Sequence, residues 1–330
     1  MNSSASGEAR ERLLLIEPDS KQRRSLERIL RAVVGTVDVQ DRLTVIPNID
    51  AYDLLVVGCD TLEATEREQL LERFGGVHSK LLFVSAKWTR DQLVDLFKSQ
   101  RLTNLVSRTG VGEIDPSDLI ATIRKILKRD VFGLEKYFMW GVPAVTMRVT
   151  RSSQKEAVLT AVTEFAANLG LQPRFGNQLA LVADEFVTNA VYNAPVAADG
   201  TARFAHRARS EEVDLEGESV VVQFCCDGER VGISIADPYG SLTVDRVLEY
   251  LARCFQQGPD QVESKEGGAG LGLYYVFDAL SHFIINIAPG VKTEMIGLID
   301  VRGSYRDFAS RAKSFNVFFG PSEAAPLPRT

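Results

Sequence analysis

Histidine and cysteine are scarce in this chain of 330 residues, and their scarcity closes off several chemistries at once. His78, His206 and His282 are far apart, and Cys59, Cys225, Cys226 and Cys254 include no CxxC pair, so no zinc-ligand spacing is present. The expectation is reduced thiols with a structural role. Cys225 and Cys226, adjacent in an apolar run, should point to opposite faces of a strand. No apolar run approaches the ~18 residues of a membrane span, and the opening MNSSASGEARER holds no apolar signal core. Both point to a cytoplasmic protein. A basic excess is missing too: a formal net charge of −6 is the wrong sign for a protein that holds nucleic acid by neutralising phosphates.

What is present is an ordinary globular composition, 45% hydrophobic and 25% charged, at a length that implies two domains with two cores. From 12 to 129, short apolar runs (LLLIE at 13–17, DLLVV at 53–57, KLLFVS at 80–85, NLVS at 104–107) read as buried parallel strands. Helical patterns lie between them at Ser20 to Val33, Glu63 to Phe74, Arg90 to Ser99 and Pro116 to Lys128, the last with Asp115 as its cap. This predicts a doubly wound α/β domain. Residues 130–143 break the rhythm with Phe132, Tyr137, Phe138 and Trp140, which suit packing between the domains or a binding groove. From 144 to 320 the pattern is α+β: a strand at 144–150, helices from about Ser153 and from Pro173, and strand runs at 219–226 and 231–236 joined through Asp227-Gly228. Residues 194–218 read as an exposed insertion, and 1–11 and 321–330 as flexible termini.

Three polar or glycine-rich patches follow in order. In LALVADEFVTNAVYNAP, Leu179, Val182, Phe186 and Ala190 form an apolar helical stripe, while Glu185, Asn189 and Asn193 recur every four residues and share one face. A solvated helix face would look the same. In ISIADPYGSL a strand ends at Asp237, placing a carboxylate at a sheet rim where it can accept from an amino group; an ordinary Asp-Pro turn through Gly240 explains the same residues. In SKEGGAGLGLYYVFDAL, Gly267, Gly268, Gly270 and Gly272 precede or open a helix, where free backbone N–H groups can cradle phosphate oxygens. No strand feeds this run, so it is not a dinucleotide fingerprint, and a flexible loop before a closely packed helix is the plainer alternative.

On these residues, 144–320 resembles the Bergerat-fold ATP-binding domain shared by histidine kinases, gyrase, chaperone ATPases and anti-sigma-factor serine kinases. Glu185-x-x-x-Asn189-Ala190 is similar to its N-box, Asp237 to the Asp of its first Gly box, and Gly268-Ala269-Gly270-Leu271-Gly272-Leu273 to its second Gly box. Thr293 in KTEMIGLI matches a threonine near adenine. The resemblance implies an α+β sandwich binding ATP and Mg²⁺. In it Asn189 is the Mg²⁺ ligand, Asp237, Gly240 and Thr293 lie at the adenine, and Asn193 is beside the nucleotide. The backbone of Gly268, Gly270, Leu271 and Gly272 lies along the phosphates as a lid, and Glu185 is the general base. Lys265 is a phosphate contact or a solvated lysine. Tyr239 replaces the first glycine of the first Gly box, and Asn193 stands where His or Lys is common, which implies altered geometry or affinity.

Residues 12–129 resemble the receiver domain of response regulators: Glu17 and Asp19 close the first strand, Ser85-Ala86 the fourth, and Arg108 follows the fifth. Gly58 stands at the strand end where a phosphorylatable Asp belongs. Asp60 lies two residues on, and Asp53 is ~16 Å back along an extended chain. The expectation is a pseudo-receiver that binds proteins through a helical face, self-association included; Glu17 and Asp19 alone would hold Mg²⁺ poorly. A true receiver using Asp60 after a register slip is the rival.

The predicted whole is a bacterial signalling protein: a doubly wound receiver-like domain followed by an α+β sandwich of Bergerat type. No histidine sits in a helical hairpin ahead of the ATP domain, so the likeness is to anti-sigma serine kinases instead of histidine kinases. This implies a protein serine or threonine as acceptor, and a sigma factor or its antagonist as partner. The alternative is a non-enzymatic scaffold with a degenerate or purely structural nucleotide site.

Overall fold

The computed structural model describes residues 11–42, 51–76, 79–86, 88–99, 101–108, 113–197, 199–257 and 271–321. The apolar runs near the start of the chain form β1 (Arg12–Ile16), β3 (Leu54–Gly58), β4 (Leu81–Ser85) and β5 (Asn104–Ser107). β3 and β4 are buried at every residue, as strands covered on both faces must be. Between them run α1 (Ser20–Val33), α2 (Ala64–Phe74) and α3 (Arg90–Lys98), and α4 (Pro116–Lys128) follows β5. Asp19 caps α1 by accepting from Gln22 N at 2.8 Å, and Asp115 caps α4 from Ser117 N at 2.9 Å. One strand has no apolar run to announce it: β2 (Thr36–Gln40) buries only Val37 and lies at the sheet edge.

The second half contributes β6 (Val145–Val149), α5 (Lys155–Asn168), α6 (Pro173–Thr188), β7 (Val220–Cys226), β8 (Arg230–Asp237) and α7 (Val244–Gln257). α8 (Leu271–Ala279), β9 (His282–Ala288), β10 (Lys292–Asp300), α9 (Tyr305–Ser310) and β11 (Ser314–Phe319) complete it. Among the described residues no helix is long and apolar enough to cross a membrane.

The strands of the described residues join in one mixed 11-stranded sheet, in the order β2-β1-β3-β4-β5-β11-β9-β10-β8-β7-β6. β1 to β5 are parallel; β11 runs antiparallel to β5, with Phe315 opposite Leu105, and parallel to β9. The expected pair of separate cores gives way here. Because β11 occupies the free edge of β5, α2 and α3 share a face with α5, α6, α7 and α8, and one apolar layer runs across both halves. Phe97 of α3, for example, meets Phe255 of α7, Phe277 of α8 and Phe315 of β11 with ring centroids 5.6 to 5.8 Å apart. On the other face, α1 and α4 cover the parallel strands, while Val131, Leu134, Tyr137 and Phe138 cover the antiparallel ones. The aromatics of the junction are therefore mostly packing, although Met139 and Trp140 stay exposed.

Charge is buried on that second face. Lys125 of α4 lies 4.5 Å from the Tyr137 ring centre and donates to Asn286 Oδ1 at 3.4 Å; burial brings its ammonium down to about 7. Arg230, at the start of β8, reaches across to α4 and donates to Asp118 and Asp115 at 2.6 Å each. Asp118 also faces His282 at 3.6 Å. Burial alone would raise the Asp118 carboxyl, but His282 and Arg230 outweigh it and hold it well below the usual range. Removing one partner of a buried pair strands the other. Arg230→Ala is expected to lower unfolding free energy by about 3–5 kcal/mol, measured by urea denaturation, and a change under 1 kcal/mol would show the clamp to be dispensable.

Candidate functional site

α6 carries its apolar stripe inward: Leu179, Val182, Phe186 and Ala190 are all buried against the sheet. That leaves Glu185 and the residues after it along one half-buried row. Asn189 Nδ2 donates to Glu185 Oε1 at 2.8 Å, and Asn193 Nδ2 donates to Asn189 Oδ1 at 2.6 Å. The helix does not stop at Thr188 but widens into a π-turn over Asn189–Asn193, with Ala194 N donating to Asn189 O at 2.9 Å. Such single wide turns recur at functional sites, since they re-aim side chains without ending the helix. Burial pushes the Glu185 carboxyl up, against the pull of Asn189.

Asp237 closes β8 on the helix-covered face, beside Ile235, with Thr293 of β10 directly opposite. It is buried and accepts from Tyr239 N at 2.9 Å and Gly240 N at 3.4 Å. Burial nonetheless lifts its pKa to about 6. The Thr293 hydroxyl is buried with no partner among the described residues. The Tyr239 backbone orients Asp237, and its hydroxyl donates to Glu218 Oε2 at 2.7 Å. Gly240 has φ +59, and a Cβ there would lie 2.2 Å from Ala288 O, so only glycine lets this turn press on the β9–β10 connection. Gly272, in the first turn of α8, touches the row from the other side. A Cβ on it would lie 2.0 Å from the Glu185 carboxyl carbon.

The insertion at 194–218 is less open than expected. Phe204, Val213 and Leu215 are buried and anchor it in the shared core. Tyr192, inside the π-turn, donates its hydroxyl to the carbonyls of Arg209 at 3.1 Å and Glu211 at 2.8 Å. The Arg209 guanidinium returns over the same ring, 4.7 Å from its centre, and donates to Asn193 Oδ1 at 3.4 Å. The sequence signals Arg209 only as one arginine among several in a polar stretch.

At the ends of the parallel strands a second polar cluster forms. Arg108, buried, pairs with Glu17 and Gln22, and its Nε lies 3.7 Å from Asp60. Asp60 Oδ1 accepts from Ala86 N at 2.9 Å and from Ser85 Oγ. A Cβ on Gly58 would collide with the Glu17 carboxylate. Glu17 thus fills the space next to Gly58, while the Asp19 carboxylate caps α1. Among the described residues no group of three or more His, Cys, Asp or Glu is arranged to hold a metal ion.

No protein-family model and no curated protein matches this sequence.

Of the sequence-predicted site residues, Glu185, Asn189, Asn193 and Gly272 come together, and Asp237, Gly240 and Thr293 form a second group at the end of β8. The two groups approach where Ser241 Oγ donates to Ala194 O at 2.7 Å. Lys265, Gly268 and Gly270 lie outside the described residues, as does His78; of Leu271 only the backbone is described, at the start of α8. Burial makes Asp237 a weaker acid in the folded chain, and stability depends on pH accordingly. Between its ordinary 3.8 and about 6 the folded chain binds a proton that the unfolded chain does not. Stability therefore falls as pH rises through that window, and the penalty is full above it. Asp237→Asn keeps an acceptor for Tyr239 N and Gly240 N, so at pH 7 it is expected to be more stable than wild type by roughly 2–3 kcal/mol. The gain should vanish near pH 4, as read from denaturation midpoints across pH.

Proposed function

We propose that the second half of the chain binds ATP with Mg²⁺ in a Bergerat-type site similar to that of anti-sigma serine kinases. On this reading the first half is a receiver-like module that signals by contact instead of by phosphorylation. The observation that carries the reading is the juxtaposition of the Glu185-Asn189-Asn193 row, Gly272 pressed against Glu185, and the buried pair Asp237 and Thr293.

The residues fit such a ligand. Thr293 Oγ1 is a buried polar atom lacking a partner among the described residues, beside a buried carboxylate, which suits the amino edge of a purine. Mg²⁺ is commonly held by one or two protein oxygens together with substrate phosphates, and Asn189 Oδ1 is the oxygen at hand. Bound Mg-ATP would supply the phosphoryl group. Glu185, its carboxyl raised by burial, would take the proton from a serine or threonine hydroxyl of a protein acceptor as the new O–P bond forms and the bond to the departing ADP breaks. His282, buried and bonded to Asn316, is unsuited to accept a phosphoryl group itself. A sigma factor or its antagonist is the kind of partner this reading implies. Gly58 and the Arg108-Glu17 pair support a first half that works without a phosphoacceptor.

A second reading, a non-enzymatic docking protein, is favoured by one observation: the row is closed on itself, with Glu185 Oε1 taken by Asn189 and Asn189 Oδ1 by Asn193. Calorimetric titration separates the readings. Mg-ATP should bind wild type and bind Asp237→Ala at least tenfold more weakly; no binding by wild type overturns the site. Transfer of labelled γ-phosphate to a captured protein partner should then fall about 100-fold or more in Glu185→Gln while affinity persists. Absence of transfer by wild type would leave the docking reading.

A further inference from the structure

Arg209 is placed as few surface arginines are. Its carbonyl is held by the Tyr192 hydroxyl and its guanidinium lies over the Tyr192 ring, so backbone and side chain are both fixed by one buried residue of the π-turn. Neighbouring cations are engaged otherwise: Arg203 pairs with Glu216 and Glu218, Arg151 with Asp214, and Lys155 with Asp184 at 2.7 Å, while Arg207 lies over Phe204 and donates to Glu212 O. Arg209 makes no ion pair among the described residues, and its one polar side-chain contact there is Asn193 Oδ1 at 3.4 Å. A guanidinium has five N–H donors in a planar fork, so donors remain to face the row. Its charge is felt at Glu185, whose acidity it increases, as does that of Lys155.

A planar, always-charged donor set, pre-stacked and exposed beside a row of carboxamides, matches phosphate oxygens better than any neutral ligand. Stacking on Tyr192 also removes much of the conformational entropy that a free arginine would lose on binding. We propose that Arg209 is a phosphate-binding residue of this site, gripping the phosphate chain of the bound nucleotide from the insertion. The proposal rests on the nucleotide reading above and adds to it a cation supplied by the insertion, from outside the helical row and the glycine loop.

The test is calorimetric titration of the full-length chain with adenosine, Mg-ADP and Mg-ATP, using wild type, Arg209→Ala and Arg209→Lys. The Ala variant is expected to bind both phosphorylated nucleotides roughly tenfold more weakly or worse, with adenosine affinity and the melting temperature of the free protein unchanged. Lys should recover part of the loss, because it restores charge without the fork. Phosphorylated nucleotides bound equally by wild type and Arg209→Ala would overturn the assignment, and so would a parallel loss for adenosine, which marks a structural role. Wild type that binds no nucleotide would sink the site and the arginine together, whereas normal binding by Arg209→Ala sinks the arginine alone.

Discussion

Polar side chains are buried where the two halves meet, and each can be satisfied only in one register. His282 bonds Asn316, Asn316 donates to Asn104 at 3.3 Å, and Asn104 donates back to Leu81 O at 3.4 Å, a chain running from β9 through β11 and β5 to β4. On the same sheet Asn286 donates to Glu294 at 2.8 Å, and Glu294 also takes Gly133 N at 2.9 Å, with Lys125 completing the group. An unpaired buried amide or charge costs several times what a satisfied hydrogen bond contributes. A slip of one residue between β5 and β11 would break the Asn316–Asn104 bond and turn Phe315 out of the core, so the seam admits a single pairing.

That rigidity reaches the candidate site through the strands themselves. β8 begins at Arg230, clamped to α4, and ends at Asp237; β10 begins near Thr293 and ends at Asp300, which takes Arg302 and Arg311. Both strands are thus fixed at one end by ionic contacts and carry site residues at the other. α6 supplies the opposing wall, and its closing π-turn ties in the insertion through Tyr192. Asp237, Glu185 and Arg209 belong to different elements, yet each is already oriented by a neighbour: Asp237 by Tyr239 N and Gly240 N, Glu185 by Asn189 Nδ2, and Arg209 by Tyr192.

Much of this was legible from period and spacing. The apolar runs LLLIE and KLLFVS read as buried strands, and α4 begins where Asp115 permits capping, whereas the cap of α1 by Asp19 emerges only in the structure. Residues four apart on a helix are neighbours, so the Glu185-Asn189-Asn193 row was visible before any fold was known. β2 was not legible, because an edge strand with one buried residue has little apolar pattern. The pairing of SFNVFF with NLVS escaped for another reason: periodicity shows that a segment is a strand but not which strand it joins. Arg209 was hidden because its position depends on a tertiary contact with Tyr192; Arg108 could be placed after the fifth strand, but nothing local tells an arginine there that it will be buried against Glu17.

The seam also orders events in time. Ser107 and Ser314, which bond across it at 2.9 Å, are 207 residues apart. While a ribosome is still making the intervening chain, β5 ends its parallel sheet with an open row of backbone donors and acceptors, the kind of edge that recruits strands from other chains. Such distant pairing closes slowly once its partner emerges. The first half must therefore wait, incompletely covered, for a strand synthesised long after it, and the vulnerable interval in the life of this protein falls before the molecule is complete.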